Sequence, residues 1–100
     1  MAQEIGVVEV VTMKLKDGVS VEAFAPLDKA IEDEHVSKQP GFVSRETAAR
    51  DGTWLVIVHW RSAEAAQASM DTFANAPASA KFMSMIDAST MTMTRYDSVR

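Results

Sequence analysis

His35 and His59 are the only two histidines in this 100-residue chain, and their ordinary pKa lies near neutrality. A general base working at physiological pH is therefore sought there first, and both are candidate catalytic residues. His35 follows Glu32 by three, a Glu-x-x-His of the kind used in paired carboxylate metal sites. Such sites need two copies and further glutamates, so no metal site is expected. A histidine closing a helix against its last carbonyls accounts for the same residue. His59 stands opposite Ser44 and diagonal to Glu46 across a hairpin. A carboxylate there would fix its tautomer equally well in a catalytic site and in a buried interface.

The apolar candidates are Trp60, Phe24, Phe73, Phe82 and Met83. At their spacings they either fill a core or border a small-molecule cavity, and thioethers such as Met83, Met85, Met91 and Met93 suit both roles. The chain has no cysteine, no glycine-rich phosphate loop, no nucleophile elbow and no dinucleotide fingerprint. It is also too short to enclose a flavin with a domain of its own. No cofactor is expected, and any oxygen chemistry would take its electrons from an easily deprotonated phenol or enol.

Charge narrows the partners. A formal net charge of -4 lacks the concentrated Lys/Arg excess that phosphate backbones require, so nucleic acid is excluded as an expectation. No apolar run approaches the ~20 residues that span a bilayer, so no membrane partner is expected. The start, Met1-Ala2-Gln3-Glu4-Ile5, has neither the basic flank nor the apolar stretch of a secretory leader. A cytoplasmic protein of one domain, residues 1–100, is the expectation.

Those residues must be positioned by a small set of elements. The valine-rich Ile5 to Lys16 reads as a strand ending at Asp17-Gly18. Ser20 caps a helix whose stripe runs through Phe24, Leu27, Ile31 and His35 and stops at Gln39-Pro40-Gly41. Pro26 is tolerated only in a first turn, so the regular helix is expected to begin near Ala25 or to follow an irregular turn. Phe42 to Ala49 and Thr53 to Trp60 form a hairpin about Asp51-Gly52. Ser62 caps a second helix through Phe73, broken at Asn75-Ala76-Pro77 and resumed from Ala78 to about Ile86. Thr90 to Tyr96 is the last strand. The order β-α-β-β-α-β is that of an α+β ferredoxin-like unit with a four-stranded antiparallel sheet.

A two-residue loop at Asp51-Gly52 pairs Ala49 with Trp54, Thr47 with Val56, Arg45 with Val58 and Val43 with Trp60. Leu55, Ile57 and His59 then occupy the other face, so the third strand is apolar on both sides. The helices can cover one face only, and a second copy of the chain is the simplest cover for the other. A homodimer is expected.

The segment Leu55-Val-Ile-Val-His-Trp-Arg-Ser62 followed by Ala63-Glu-Ala-Ala66, with Gln39-Pro-Gly-Phe42 before the hairpin, resembles the antibiotic biosynthesis monooxygenase family of dimeric α+β barrels. The resemblance spans nearly the whole chain. It implies a homodimer with one small-molecule pocket per subunit, set between sheet and helices. Members include cofactor-independent oxygenases of aromatic polyketides, haem-degrading enzymes and quinone-directed oxygenases. Trp60 is similar to the tryptophan that walls the pocket of the haem-degrading branch. That branch also uses an asparagine on the first strand, where this chain has Val10, Val11 and Thr12. Its last-helix histidine is replaced here by Phe82, Met83 and Met85, so no haem is expected. The resemblance implies a cofactor-free monooxygenase binding an aromatic or quinone-like molecule against Trp60. A non-catalytic or stress-responsive binding barrel and an isomerase on the same scaffold stand as alternatives.

Overall fold

Parity along the strands sets the architecture. In β1 (Val7–Leu15) the odd positions Val7, Glu9, Met13 and Leu15 are buried, while Val8, Val10 and Thr12 are half-buried on the opposite face. In β3 (Thr53–Trp60) Trp54, Val56, Val58 and Trp60 are buried, alternating with half-buried Leu55, Ile57 and His59. Period two with both phases apolar is the pattern of a strand that contacts something on each side. The computed structural model describes Gly6 to Val99, so Ile5, the expected start of the first strand, lies outside the described residues.

The remaining elements are α1 (Val21–Glu34), β2 (Phe42–Arg50), α2 (Ala63–Thr72), α3 (Ser79–Ser84) and β4 (Ile86–Asp97). The four strands form one antiparallel sheet in the order β2-β3-β1-β4, the α+β ferredoxin-like arrangement. The helices pack on one face. Their core contact is a chain of rings: Phe24 of α1 lies edge-on to Trp54 at 4.8 Å between centroids, and Phe82 of α3 is 5.0 Å from Phe24.

Three local departures from the sequence expectation have physical causes. Helix α1 starts at Val21, where the Ser20 hydroxyl accepts from the Ala23 N–H, a cap that contributes about 1 kcal/mol. Pro26 therefore sits in the second turn, and the Glu22 carbonyl it leaves without a donor belongs to an exposed residue that water can reach. Strand β4 begins at Ile86, four residues earlier than expected, and α3 ends correspondingly at Ser84. Asp87-Ala88-Ser89 reads as a turn in sequence because it makes one locally. Asp87 Oδ1 accepts from the Ser89 hydroxyl and N–H, which lowers the Asp87 pKa, and the β1–β4 register shifts between Thr12 and Lys14.

The third departure matters most for the site. The hairpin register holds from Arg50–Thr53 to Ser44–His59, but Phe42, not Val43, faces Trp60, because a bulge interrupts β2 at Val43. The bulge reverses parity, so that Phe42 and Arg45 both point to the helices. Phe42 meets Trp60 edge-on at 5.9 Å. Arg45 donates through both Nη atoms to Asp28 of α1 at 2.8 Å and through Nη1 to Glu32 at 2.9 Å. Trp54 Nε1 donates to the same Asp28 at 3.2 Å. Burial opposes the charge on Arg45, but Asp28 and then Glu32 outweigh it and raise the guanidinium pKa above its ordinary value.

Two substitutions test this frame. Gly41 enters β2 with φ +87°, and an added Cβ would lie 2.5 Å from the Ala65 Cβ of α2, whereas Gly52 (φ +79°) has no heavy atom within 4 Å of that point. Gly41→Ala should destabilise the protein by about 2 kcal/mol or more, and Gly52→Ala by roughly 1 kcal/mol, in urea unfolding. Asp28→Ala leaves a guanidinium whose side chain is only 3% exposed with Glu32 as its one carboxylate, and the Trp54 N–H without its acceptor. A loss of about 3–5 kcal/mol is expected in the same assay, against about 1 kcal/mol for Trp54→Phe at the hydrogen bond alone.

Candidate functional site

The sheet and the helical layer do not close on each other completely. A cavity of about 190 Å³ lies between them, floored by β1 and β3 and roofed by α2, α3 and the short turn after α2. Val11, Met13, Val56, Val58 and Trp60 supply the floor, and Met70, Phe73, Phe82 and Met83 the roof. Period two delivers the floor residues from alternate positions of two strands. Phe73 and Phe82 meet edge-on at 5.7 Å, which fixes the roof. The surface is mostly apolar and aromatic, with Glu9, Arg45 and Ser69 as its polar members.

Of the residues singled out from sequence, the structure brings Trp60, Phe73, Phe82 and Met83 together at this cavity. Phe24 packs behind them against Trp54 and Phe82 and does not line it. Neither histidine does. His35 is buried at the end of α1 with both ring nitrogens engaged: Nε2 donates to the Ser69 carbonyl at 3.1 Å, and Nδ1 accepts from Gln39 Nε2 at 3.3 Å. Those contacts join α1 to α2, with the ring edge-on to Phe73. His59 has the opposite parity to Trp60 and lies on the sheet face away from the helices, across from Ser44 and Val8. Glu46 lies one row along, opposite Ile57, and none of the ion pairs among the described residues includes Glu46 or His59. Glu32 turns to Arg45 and away from His35, so the Glu-x-x-His spacing does not converge. Among the described residues no group of three potential ligands could hold a metal ion.

The polar side chains bordering the cavity are ones that motif reading passes over. Glu9, only 6% exposed, projects from the middle of β1. Its Oε2 accepts from Arg95 Nε at 2.8 Å, and Arg95 Nη1 donates in turn to Gln67 of α2 at 2.9 Å. The other Glu9 oxygen accepts no hydrogen bond from the described residues. Arg45 borders the cavity from β2, on the row Glu9, Val58, Arg45. Two sealed N–H groups, Arg45 Nε and Trp60 Nε1, find no acceptor among the described residues. The signal for Glu9 was its parity: a carboxylate in phase with Val7, Val11, Met13 and Leu15 must enter the core side of the sheet.

No protein-family model matches the chain, and no curated protein matches its sequence. Solved structures do resemble its fold. SnoaB, a cofactor-independent oxygenase from Streptomyces nogalater, superposes with a TM-score of 0.76 at 14% identity, over 96% of this chain and 95% of SnoaB. A protein of Caulobacter crescentus CB15 proposed to be an antibiotic biosynthesis monooxygenase gives 0.77 at 17% identity, over 97% and 92% of the two chains. One of Shewanella loihica PV-4, proposed to be a monooxygenase, gives 0.72 at 13% identity, over 99% of both chains. The chain has the ferredoxin-like fold of these antibiotic biosynthesis monooxygenase-type structures along almost its whole length.

Proposed function

We propose that this chain belongs to the antibiotic biosynthesis monooxygenases and is a cofactor-independent oxygenase of a small aromatic or quinone-like molecule held against Trp60. The observation that supports it best is the apolar, aromatic cavity between sheet and helices. A dry cavity of about 150 Å³ takes one benzene ring, so about 190 Å³ suits a compact molecule of one or two rings. The fold shared with SnoaB supports the oxygen chemistry.

The reaction needs no group that the chain lacks. A ring CH₂ conjugated with a carbonyl enolises and loses a proton; the anion passes an electron to dioxygen, and the two radicals combine at that carbon. The resulting peroxide anion takes the abstracted proton back and the hydroperoxide loses water, so that R₂CH₂ and O₂ give R₂C=O and H₂O. The substrate is the only electron donor. The protein's part is to hold the ring between Trp60 and Phe82, exclude bulk water and accept the first proton.

The same reading includes a homodimer. Helices cover one face of the sheet, while Val8, Val10, Leu55 and Ile57 remain half-buried on the other, bordered by Tyr96 at 56% exposure. A second copy placed face to face removes those side chains from water.

Oxygen uptake with a panel of phenols and quinols tests the activity. Wild type should turn over at least one member only in air, and Trp60→Ala, checked for intact fold, should lose at least ~10-fold in kcat/KM. Turnover without oxygen would identify the isomerase instead, and no turnover the binding barrel. Sedimentation velocity tests the assembly: wild type should run as a dimer and Ile57→Glu, at the centre of the face, as a monomer. A monomeric wild type overturns that part of the reading.

A further inference from the structure

An apolar pocket binds rings by burying them, and burial alone does not choose among them. The choice falls to whichever polar atom at the cavity is held firmly yet left with unused hydrogen-bonding capacity. Ser69 offers a hydroxyl, which is a far weaker proton acceptor than a carboxylate, the Arg45 Nη atoms are committed to Asp28 and Glu32, and the unpartnered Arg45 Nε and Trp60 Nε1 are donors that cannot take a proton. Glu9 is different: one oxygen is pinned by Arg95 and the other accepts nothing from the described residues. We infer that Glu9 is the substrate-binding base of this site, selecting a ring that carries an ionisable hydroxyl, with Arg95 as its positioning residue. The inference rests on the cavity being the substrate site, and it names the proton acceptor that the proposed reaction requires.

Three observations converge on this. Glu9 lies in the same cross-strand row as Val58 and adjoins the row of Trp60, so a ring stacked on Trp60 over Val58 brings an edge substituent toward the carboxylate. The Arg95 bridge is itself restrained by Gln67, so one residue of β4 ties Glu9 of β1 to α2 and limits the rotamers of both side chains. Neither histidine can serve, since His35 has both nitrogens occupied and His59 faces the other side of the sheet. The step balances simply. The hydroxyl O–H bond breaks, an O–H bond forms on the free Glu9 oxygen, and the electron pair stays on the ring oxygen, conjugated into the carbon that meets dioxygen. Arg95 keeps its bond to the second Glu9 oxygen throughout.

Calorimetric binding of 1-naphthol, 1-methoxynaphthalene and naphthalene to the intact protein tests the inference without needing the natural substrate. Wild type should bind 1-naphthol at least about tenfold more tightly than 1-methoxynaphthalene, the scale of a hydrogen bond to a charged acceptor. Glu9→Gln and Glu9→Leu should lose most of that preference while naphthalene affinity stays within about twofold. Arg95→Gln should lose part of it and Arg95→Lys recover it, a selective change that mere loosening of the fold would not give, because naphthalene would then weaken too. Equal binding of all three by wild type, or a preference unchanged in Glu9→Leu, overturns the role of Glu9 and leaves the aromatic pocket standing. Failure of wild type to bind any of the three removes the pocket reading, and this inference with it.

Discussion

The guanidinium of Arg45 is the group around which the rest of the structure is arranged. A buried cation must be met by charge and by hydrogen bonds, because leaving it unpaired costs several kcal/mol. Asp28 meets it with two parallel bonds and Glu32 with a third, all from α1, while the cation stands on edge strand β2. The pair therefore fixes where the first helix crosses the sheet. Trp54 reinforces the same carboxylate from β3, so three elements share one electrostatic centre. From that fixed helix, Phe24 sets Trp54 and Phe82, and Phe82 with Phe73 sets the roof of the cavity. The charged pair thus fixes α1, and the ring contacts that start from Phe24 of α1 carry that placement to the roof of the cavity.

For Arg45 to reach α1 while Phe42 reaches Trp60, β2 must change parity between them, since residues three apart in a regular strand point to opposite faces. The bulge at Val43 makes that change, and Gly41, approached closely by Ala65 of α2, lets the chain enter the strand at the required angle. Val43 is consequently 55% exposed, where a regular strand would have placed it against Trp60. A one-residue insertion in pairing thus decides which side chains the pocket and the core receive.

This also shows where reading the sequence succeeds. Asp51-Gly52 specified a two-residue turn, with φ 52° and 79° as a type I′ turn needs, and the register near it followed from counting. The bulge did not follow, because Val43 and Ser44 are ordinary strand residues and the parity change is enforced by partners distant in sequence. Similarly, the helical stripe Phe24, Leu27, Ile31 was legible, but its buried member between Phe24 and Ile31 is Asp28, with Leu27 only half-buried. A carboxylate on an apolar stripe announces a buried cation; finding which one required the fold. Glu9 carried the same signal in β1. Side-chain chemistry alone points to the histidines, whereas charge in phase with the core points to Glu9, Asp28 and Arg45.

The sheet's two faces now separate by parity into two jobs. Odd residues of β1 and even residues of β3 build the core and the cavity, while their neighbours, Val8, Val10, Leu55, Ile57 and His59, form the opposite face, the one proposed above to meet a second copy. A dimer formed through that face would press on the back of the cavity floor without contributing a side chain to the cavity, since every strand position between them points one way or the other. Coupling between the two subunits' pockets would then have to pass through the backbone of β1 and β3. Both strands are bonded on each side and form the stiffest part of the sheet, so two independent sites, each complete within its own chain, are what this geometry favours.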